Sequence, residues 1–212
     1  MPADAPDGSA DRIIDLYSRR AAEWDAERGR GLMERAWLDA FLALVPPGGA
    51  VLDLGCGMGE PIGRYLIEQG VRLTGVDAAP GSVKRARARF PDHEWIVADM
   101  RGLDLGRSFD GLIAWHSAFH LRPDHLRDLF EVYVRHVRPG GALMFTSGPH
   151  EGEAIGEWHG ETLYHGSLSP EENRARLAAA GFEVVEFVPE DPGCGGATVW
   201  LARRGMADCA HD

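Results

Sequence analysis

The 212-residue chain lacks a surplus of positive charge. Its 22 Lys and Arg face 33 Asp and Glu, for a formal net charge of −11. Such a surface repels phosphate backbones and anionic lipid, which disfavours nucleic-acid and membrane-surface partners. Cysteine is scarce. Cys56, Cys194 and Cys209 are odd in number and form no CxxC pair. That argues against a disulfide framework or a zinc ribbon and fits a reducing compartment. No window approaches 18 unbroken apolar residues, so no membrane span is expected. The N-terminal MPADAPDGSADR has no basic n-region or apolar h-region of a secretory signal. Cytoplasm is the expected location. Internal repeats and low-complexity tracts are also missing. What remains is ordinary globular composition, 44% hydrophobic and 26% charged. The length suits one domain with a small cap.

Residues 1–8 and about 205–212 read as tails. From Ser9, the expected N-cap, Ile13, Leu16/Tyr17, Arg20/Ala21 and Trp24 recur at helical spacing. A second helix follows the Gly29/Gly31 break, carrying Leu32, Ala36/Trp37, Ala40/Phe41 and Leu44. Pro46-Pro47-Gly48-Gly49 stops it. Strands are then predicted over 50–54, 71–77, 93–99, 109–115 and 142–148. Helices are predicted over 59–68, 80–89, 123–137 and from Ser169-Pro170 to Gly181. The strand at 109–115 follows an unusually short crossover. Residues 149–169, rich in His, Glu and aromatics, read as a loop. The segments 182–188 and 197–203 read as a closing hairpin. Strands alternating with helices predict an α/β doubly wound sheet, parallel strands first, with ligands at the carboxyl ends of the strands.

Three strand ends carry the functional pattern. The first runs Asp53-Leu54-Gly55-Cys56-Gly57-Met58-Gly59. Glycine lets backbone approach a ligand and adopt positive φ. A dinucleotide fingerprint, GxGxxG, needs a glycine where Glu60 stands, and a carboxylate there repels phosphate. The GK[ST] of a P-loop is also absent. The second strand ends in Asp77, 22 residues after Gly55, where a carboxylate can accept both hydroxyls of a ribose. The third ends in Asp99-Met100, where a carboxylate can accept an adenine N–H and the next backbone N–H can face a ring nitrogen. Together they describe a nucleoside without demanding phosphates.

VLDLGCGMGEPIGRYL, LTGVDAAP, WIVADM, FDGLIAWHSAFHL and RPGGALMFTSG resemble the successive motifs of class I S-adenosylmethionine-dependent methyltransferases, over roughly residues 50–204. The resemblance implies a Rossmann-like, mostly parallel seven-stranded sheet with its last strand antiparallel. It implies S-adenosylmethionine as cofactor and S-adenosylhomocysteine as product. Gly55, Cys56 and Gly57 would contact the methionine moiety, ordered by Asp53. Asp77 with Ala78 would hold the ribose, and Asp99 with Met100 the adenine. Trp115 would lie near the sulfonium. Residues 1–44 would form an N-terminal helical lid offering Tyr17, Trp24 and Arg28, residues 45–204 the core and 205–212 a tail.

Nine histidines invite a metal reading, but no HExxH or other ligand pattern is present, and no metal is expected. They read instead as pocket residues. His116, His120 and His150 are candidate bases, since histidine ionises near neutrality. Glu153, Trp158, His159, Tyr164 and His165 are candidates to shape the acceptor pocket. A carboxylate acceptor would need no base. Trp115-His116-Ser117-Ala118 lacks the Asn/Asp/Ser-Pro-Pro-aromatic motif of adenine-, cytosine-N4- and glutamine-methylating enzymes. With no appended basic domain, a small-molecule acceptor is expected, on a monomer or homodimer. The alternatives are a nicotinamide-dependent oxidoreductase on a related sheet and a non-catalytic S-adenosylmethionine-binding protein.

Overall fold

The computed structural model describes Gly8 and residues 10–206. The expected cap Ser9, most of both expected tails, and Cys209 lie outside the described residues. The N-terminal region is α1 (Ile13–Arg19), preceded by a 3-10 turn at Ala10–Arg12, then α2 (Ala21–Glu27) and α3 (Arg35–Leu42). The single helix expected from Ser9 to Trp24 is instead two. They part at Arg20, whose φ of −106° and ψ of 23° leave the helical region. The core then alternates β1 (Ala50–Leu54), α4 (Ile62–Glu68), β2 (Arg72–Asp77), α5 (Pro80–Arg89), β3 (Glu94–Val97), β4 (Phe109–Ala114), α6 (Pro123–His136) and β5 (Val137–Ser147). Next come β6 (Gly152–Trp158), β7 (Glu161–Ser167), α7 (Pro170–Ala179), β8 (Phe182–Asp191) and β9 (Ala197–Arg204).

Seven strands form one sheet in the order β3-β2-β1-β4-β5-β9-β8. The first five are parallel, and β9 runs antiparallel to both β5 and β8. Because side chains alternate along a strand, each strand feeds two cores. Val51, Ile113, Met144 and Leu201 pack with Trp37, Phe41, Leu66 and Val83 on the face of α3, α4 and α5. Leu52, Leu112, Leu143 and Trp200 pack with Phe130, Tyr133 and Leu177 on the face of α6 and α7. This two-sided burial explains the nearly unbroken apolar runs of β1 and β4. Ser169 caps α7 as expected, its Oγ accepting the Glu172 N–H at 3.0 Å, with Pro170 at the first helical position.

Three further elements differ from the sequence reading. Helix α4 starts at Ile62, not Gly59, because Gly59 has a φ of 76° and still belongs to the loop. Strand β5 reaches back to Val137, with a register irregularity opposite Phe109 and Gly111. Residues 149–169 are not a loop. They hold an antiparallel hairpin, β6 paired with β7 from Gly152↔Ser167 to Trp158↔Glu161. Its two-residue turn, His159-Gly160, has φ values of 52° and 75°, the doubly left-handed geometry that matches strand twist. Glycine is common in such turns and histidine is not, so the turn signal was muted.

Candidate functional site

A cleft of about 1260 Å³, counting the open solvent at its mouth, lies at the carboxyl ends of β1, β2, β3 and β4. The turn after β1 forms its floor. Gly55, at φ 77°, donates its N–H to Val76 O at 2.7 Å. A Cβ there would fall 2.2 Å from the Cβ of Ser117. Gly57, at φ 53°, differs: a Cβ there would meet nothing within 4 Å. Its backbone faces open cleft.

Asp77 ties the floor together. Its Oδ2 accepts the Gly57 N–H at 2.9 Å and its Oδ1 the Ala79 N–H at 2.8 Å. Burial raises its carboxyl above the usual range, partly offset by those two bonds. Asp77 is thus a turn former, yet each oxygen retains a lone pair and the residue lines the cleft. Asp53 sits behind the loop, 4% exposed. Burial, and then the charge of Asp77, push its carboxyl up to about 7. Cys56 is buried beside both, and its thiol is raised well above the ordinary value by burial first. Asp99 lies just past β3. Burial raises its carboxyl, but Arg101 outweighs that and leaves it lowered. Arg101 donates Nε at 2.8 Å and Nη2 at 2.6 Å to Asp99 Oδ2, and its backbone N–H to Oδ1 at 2.9 Å. Ala78, Met100 and Trp115 also line the cleft.

The opposite wall comes from the N-terminal helices, through Ile13, Ile14, Tyr17, Trp24 and Arg28. Arg28 donates Nη2 to Glu34 Oε1 at 2.9 Å. The Tyr17 phenol is raised to about 12, by burial first and then by Asp77. The wall is apolar where the floor is acidic.

The candidate histidines separate. His120 is buried. Its Nδ1 lies 2.8 Å from the Tyr164 carbonyl, which can only accept, so Nδ1 carries the hydrogen. Burial lowers its pKa to about 4, which keeps the ring neutral, and its Nε2 accepts the Tyr17 hydroxyl at 3.1 Å. Both nitrogens are occupied. His116 instead opens into the cleft at the end of β4. Its backbone is left-handed, φ 49°, and its N–H donates to Thr146 Oγ1 at 2.9 Å. Its ring stacks on Trp115 at 5.4 Å and 14°. That crowding, and then the Arg28 charge, lower its pKa to about 4. His150 is exposed and does not line the cleft. Glu153, Trp158, His159, Tyr164 and His165 do not line it either. Of these, Trp158 stands against Tyr17, and Tyr164 and His165 against His120, on a hairpin outside the main sheet. Among the described residues, no group of three or more His, Cys, Asp or Glu could hold a metal.

Sequence reasoning missed Ser117, whose hydroxyl donates to Leu54 O at 2.6 Å beneath Gly55. It also missed Ile13, Ile14, Leu121, Arg122 and His125 on the cleft wall. The helical period marks Ile13 as inward but does not say against what.

A family described as a methyltransferase domain matches residues 51–141. A trans-aconitate 2-methyltransferase of Azoarcus sp. (strain BH72) is 39% identical over 107 residues, covering 49% of this chain and 41% of that protein. A malonyl-(acyl-carrier protein) O-methyltransferase of Salmonella typhimurium is 30% identical over 138 residues, covering 64% and 53%. The chain thus spans about half the length of these curated relatives. The crystal structure of a Burkholderia thailandensis 1,6-didemethyltoxoflavin-N1-methyltransferase, with 1,6-didemethyltoxoflavin and S-adenosylhomocysteine bound, superposes with a TM-score of 0.72. It shares 23% identity and is covered over 97% of this chain and 92% of that one. That likeness concerns the fold.

Proposed function

We propose that the chain binds S-adenosylmethionine and methylates a small molecule, a reading supported by the match of residues 51–141 to a methyltransferase-domain family and by a fold shared with a solved methyltransferase. The supporting observation is the run of strand ends along one cleft. Open backbone at Gly57 is followed by the half-buried carboxylate of Asp77 and then by Asp99-Met100. Glu60 also lines this cleft and is paired with Arg64, where a diphosphate cradle would need glycine. The donor set fits a nucleoside and not a dinucleotide.

Asp77 and Ala78 would hold the ribose, Asp99 and the Met100 N–H the adenine, and Gly55, Cys56 and Gly57 the amino-acid end, with Asp53 ordering the loop. The bound cofactor supplies a methyl on a positively charged sulfur, transferred in line to a nucleophile. Residues 10–44 would act as a lid whose Ile13, Tyr17 and Trp24 exclude water, which strengthens the polar contacts beneath. Trp115 would face the sulfonium. His116 is the open, neutral imidazole of the cleft, so it would take the proton from a hydroxyl or ammonium acceptor. His120 has no free nitrogen for that task, and His150 is outside the cleft. The names of the relatives above print trans-aconitate, malonyl-(acyl-carrier protein) and 1,6-didemethyltoxoflavin, which supports a small acceptor group. The net charge of −11 disfavours a nucleic-acid partner, and no helix of the described residues is long and apolar enough to cross a membrane.

Isothermal titration calorimetry tests the reading. S-adenosylhomocysteine is expected to bind with a Kd in the micromolar range and NAD to give no heat. Heat with NAD and none with S-adenosylhomocysteine would overturn it.

A further inference from the structure

The hairpin stands outside the main sheet and mostly outside the core. None of the seven residues of β6 is buried, five of them are exposed, and Ile155 is 39% exposed. It does not line the cleft. Its inner edge nevertheless converges on one side chain that does. Tyr17 stacks on Trp158 at 5.9 Å and 25°, and Trp24 packs edge-on to both rings, at 5.5 and 5.7 Å. The Tyr17 hydroxyl donates to His120, whose other nitrogen is bonded to the carbonyl of Tyr164 in β7. Ring and hydroxyl of one phenol are therefore fixed from the two strands of one hairpin.

The turn explains how. Trp158 and Glu161 are cross-strand partners, so the His159-Gly160 turn presents them side by side. Trp158 Nε1 donates to Glu27 Oε2 at 3.0 Å, and His159 Nε2 lies 2.6 Å from Glu27 Oε1. Glu161 accepts from Arg19 Nη2 at 2.7 Å and from Arg20 Nε at 2.5 Å. These partners bracket α1 and α2, the helices that carry Tyr17 and Trp24. β7 also packs on the turn after β4, where His165 meets Phe119 and His120.

We propose that the β6–β7 hairpin is a positioning element for the cleft, with Trp158 holding the Tyr17 ring and Tyr164, through His120, directing its hydroxyl. Trp158 touches no reacting atom and acts through Tyr17. The inference rests on the reading that S-adenosylhomocysteine occupies the cleft, and its test separates the two.

The test is a double-mutant cycle read by calorimetry with S-adenosylhomocysteine. It uses the wild type, Trp158→Leu, Tyr17→Ala and the double variant, with thermal unfolding of each as a control. Removing Trp158 is expected to weaken binding about tenfold when Tyr17 is present and less than about twofold when it is not, since residues acting as one unit are non-additive. Should Trp158→Leu fail to fold, Glu27→Gln replaces it in the same cycle, because the exposed Glu27 anchors both Trp158 and His159. Its expected effect is about threefold, again lost with Tyr17→Ala. An equal weakening in both backgrounds, or none in either, would overturn the inference and leave the cofactor reading standing. A wild type that does not bind the ligand would instead remove the reading beneath it.

Discussion

On the floor of the cleft, Gly57 and Asp77 are joined by a hydrogen bond across 20 residues of chain. On the opposite wall, Tyr17 reaches His120 across 103 residues and Glu27 reaches Trp158 across 131. The floor is held by backbone donors around buried carboxylates. The wall is held by aromatic stacking and by pairs among side chains that water reaches. Buried, mutually bonded groups tolerate little change, whereas exposed ion pairs are individually weak and screened by salt. We therefore propose that the floor is formed before a ligand arrives and that the wall parts to admit one.

The largest effect should come from Gly55→Ala. Its new Cβ would meet Ser117, which is pinned by its bond to Leu54 O, and the backbone there is left-handed. We expect a stability loss of about 2–4 kcal/mol, with Tm lower by about 5–15 °C in thermal unfolding. Gly57→Ala sharpens the contrast, since its Cβ meets open space. It should cost only the backbone strain of about 1–2 kcal/mol while weakening S-adenosylhomocysteine binding. If the two variants unfold alike, the floor is not the rigid element described here.

An intermediate effect concerns Asp53. Its folded-state pKa of about 7 lies above the unfolded value near 3.9. Between those values the folded chain binds the proton and the unfolded chain does not. Stability from this group is therefore present at low pH and is lost as pH rises from about 4 to about 7. Asp53→Asn should flatten that slope and raise Tm relative to wild type at pH 8. Parallel Tm-against-pH curves for the two proteins would contradict the assignment.

The smallest effect belongs to the wall. Raising salt from about 0.05 to about 0.5 M shortens the screening length several-fold. Amide hydrogen exchange should then quicken across α1 and α2, where Arg19, Arg20 and Glu27 make their pairs, with β1 and β4 unchanged. Uniform quickening would mean that wall and floor open together.

The same division explains what could be read in the sequence. Strands β1, β2 and β4 and the Gly55–Gly59 turn follow from local patterns, because a strand buried on both faces is a short apolar run and a left-handed turn calls for glycine. Asp77 and Asp99 were visible because strand ends share an edge in a parallel sheet. Residues 152–167 were not legible as strands. Their solvent side breaks the apolar alternation, and their turn opens on a histidine. The partners of Trp158 and His120 lie far away in sequence, so no local pattern encodes them. That is why His120 read as a base, although both its nitrogens are engaged, and why the packing of Tyr164 and His165 on His120 was not legible.

Asp77 has a practical consequence for anyone wanting an inert control protein. Its two oxygens brace Gly57 and Ala79, so removing the carboxylate would slacken the scaffold together with the proposed sugar contact, and the two losses could not be told apart. Asp99 leans on Arg101 instead of on the glycine turn. It is the better place to test the proposed recognition, since the Gly55–Gly59 turn keeps its bonds when Asp99 is changed.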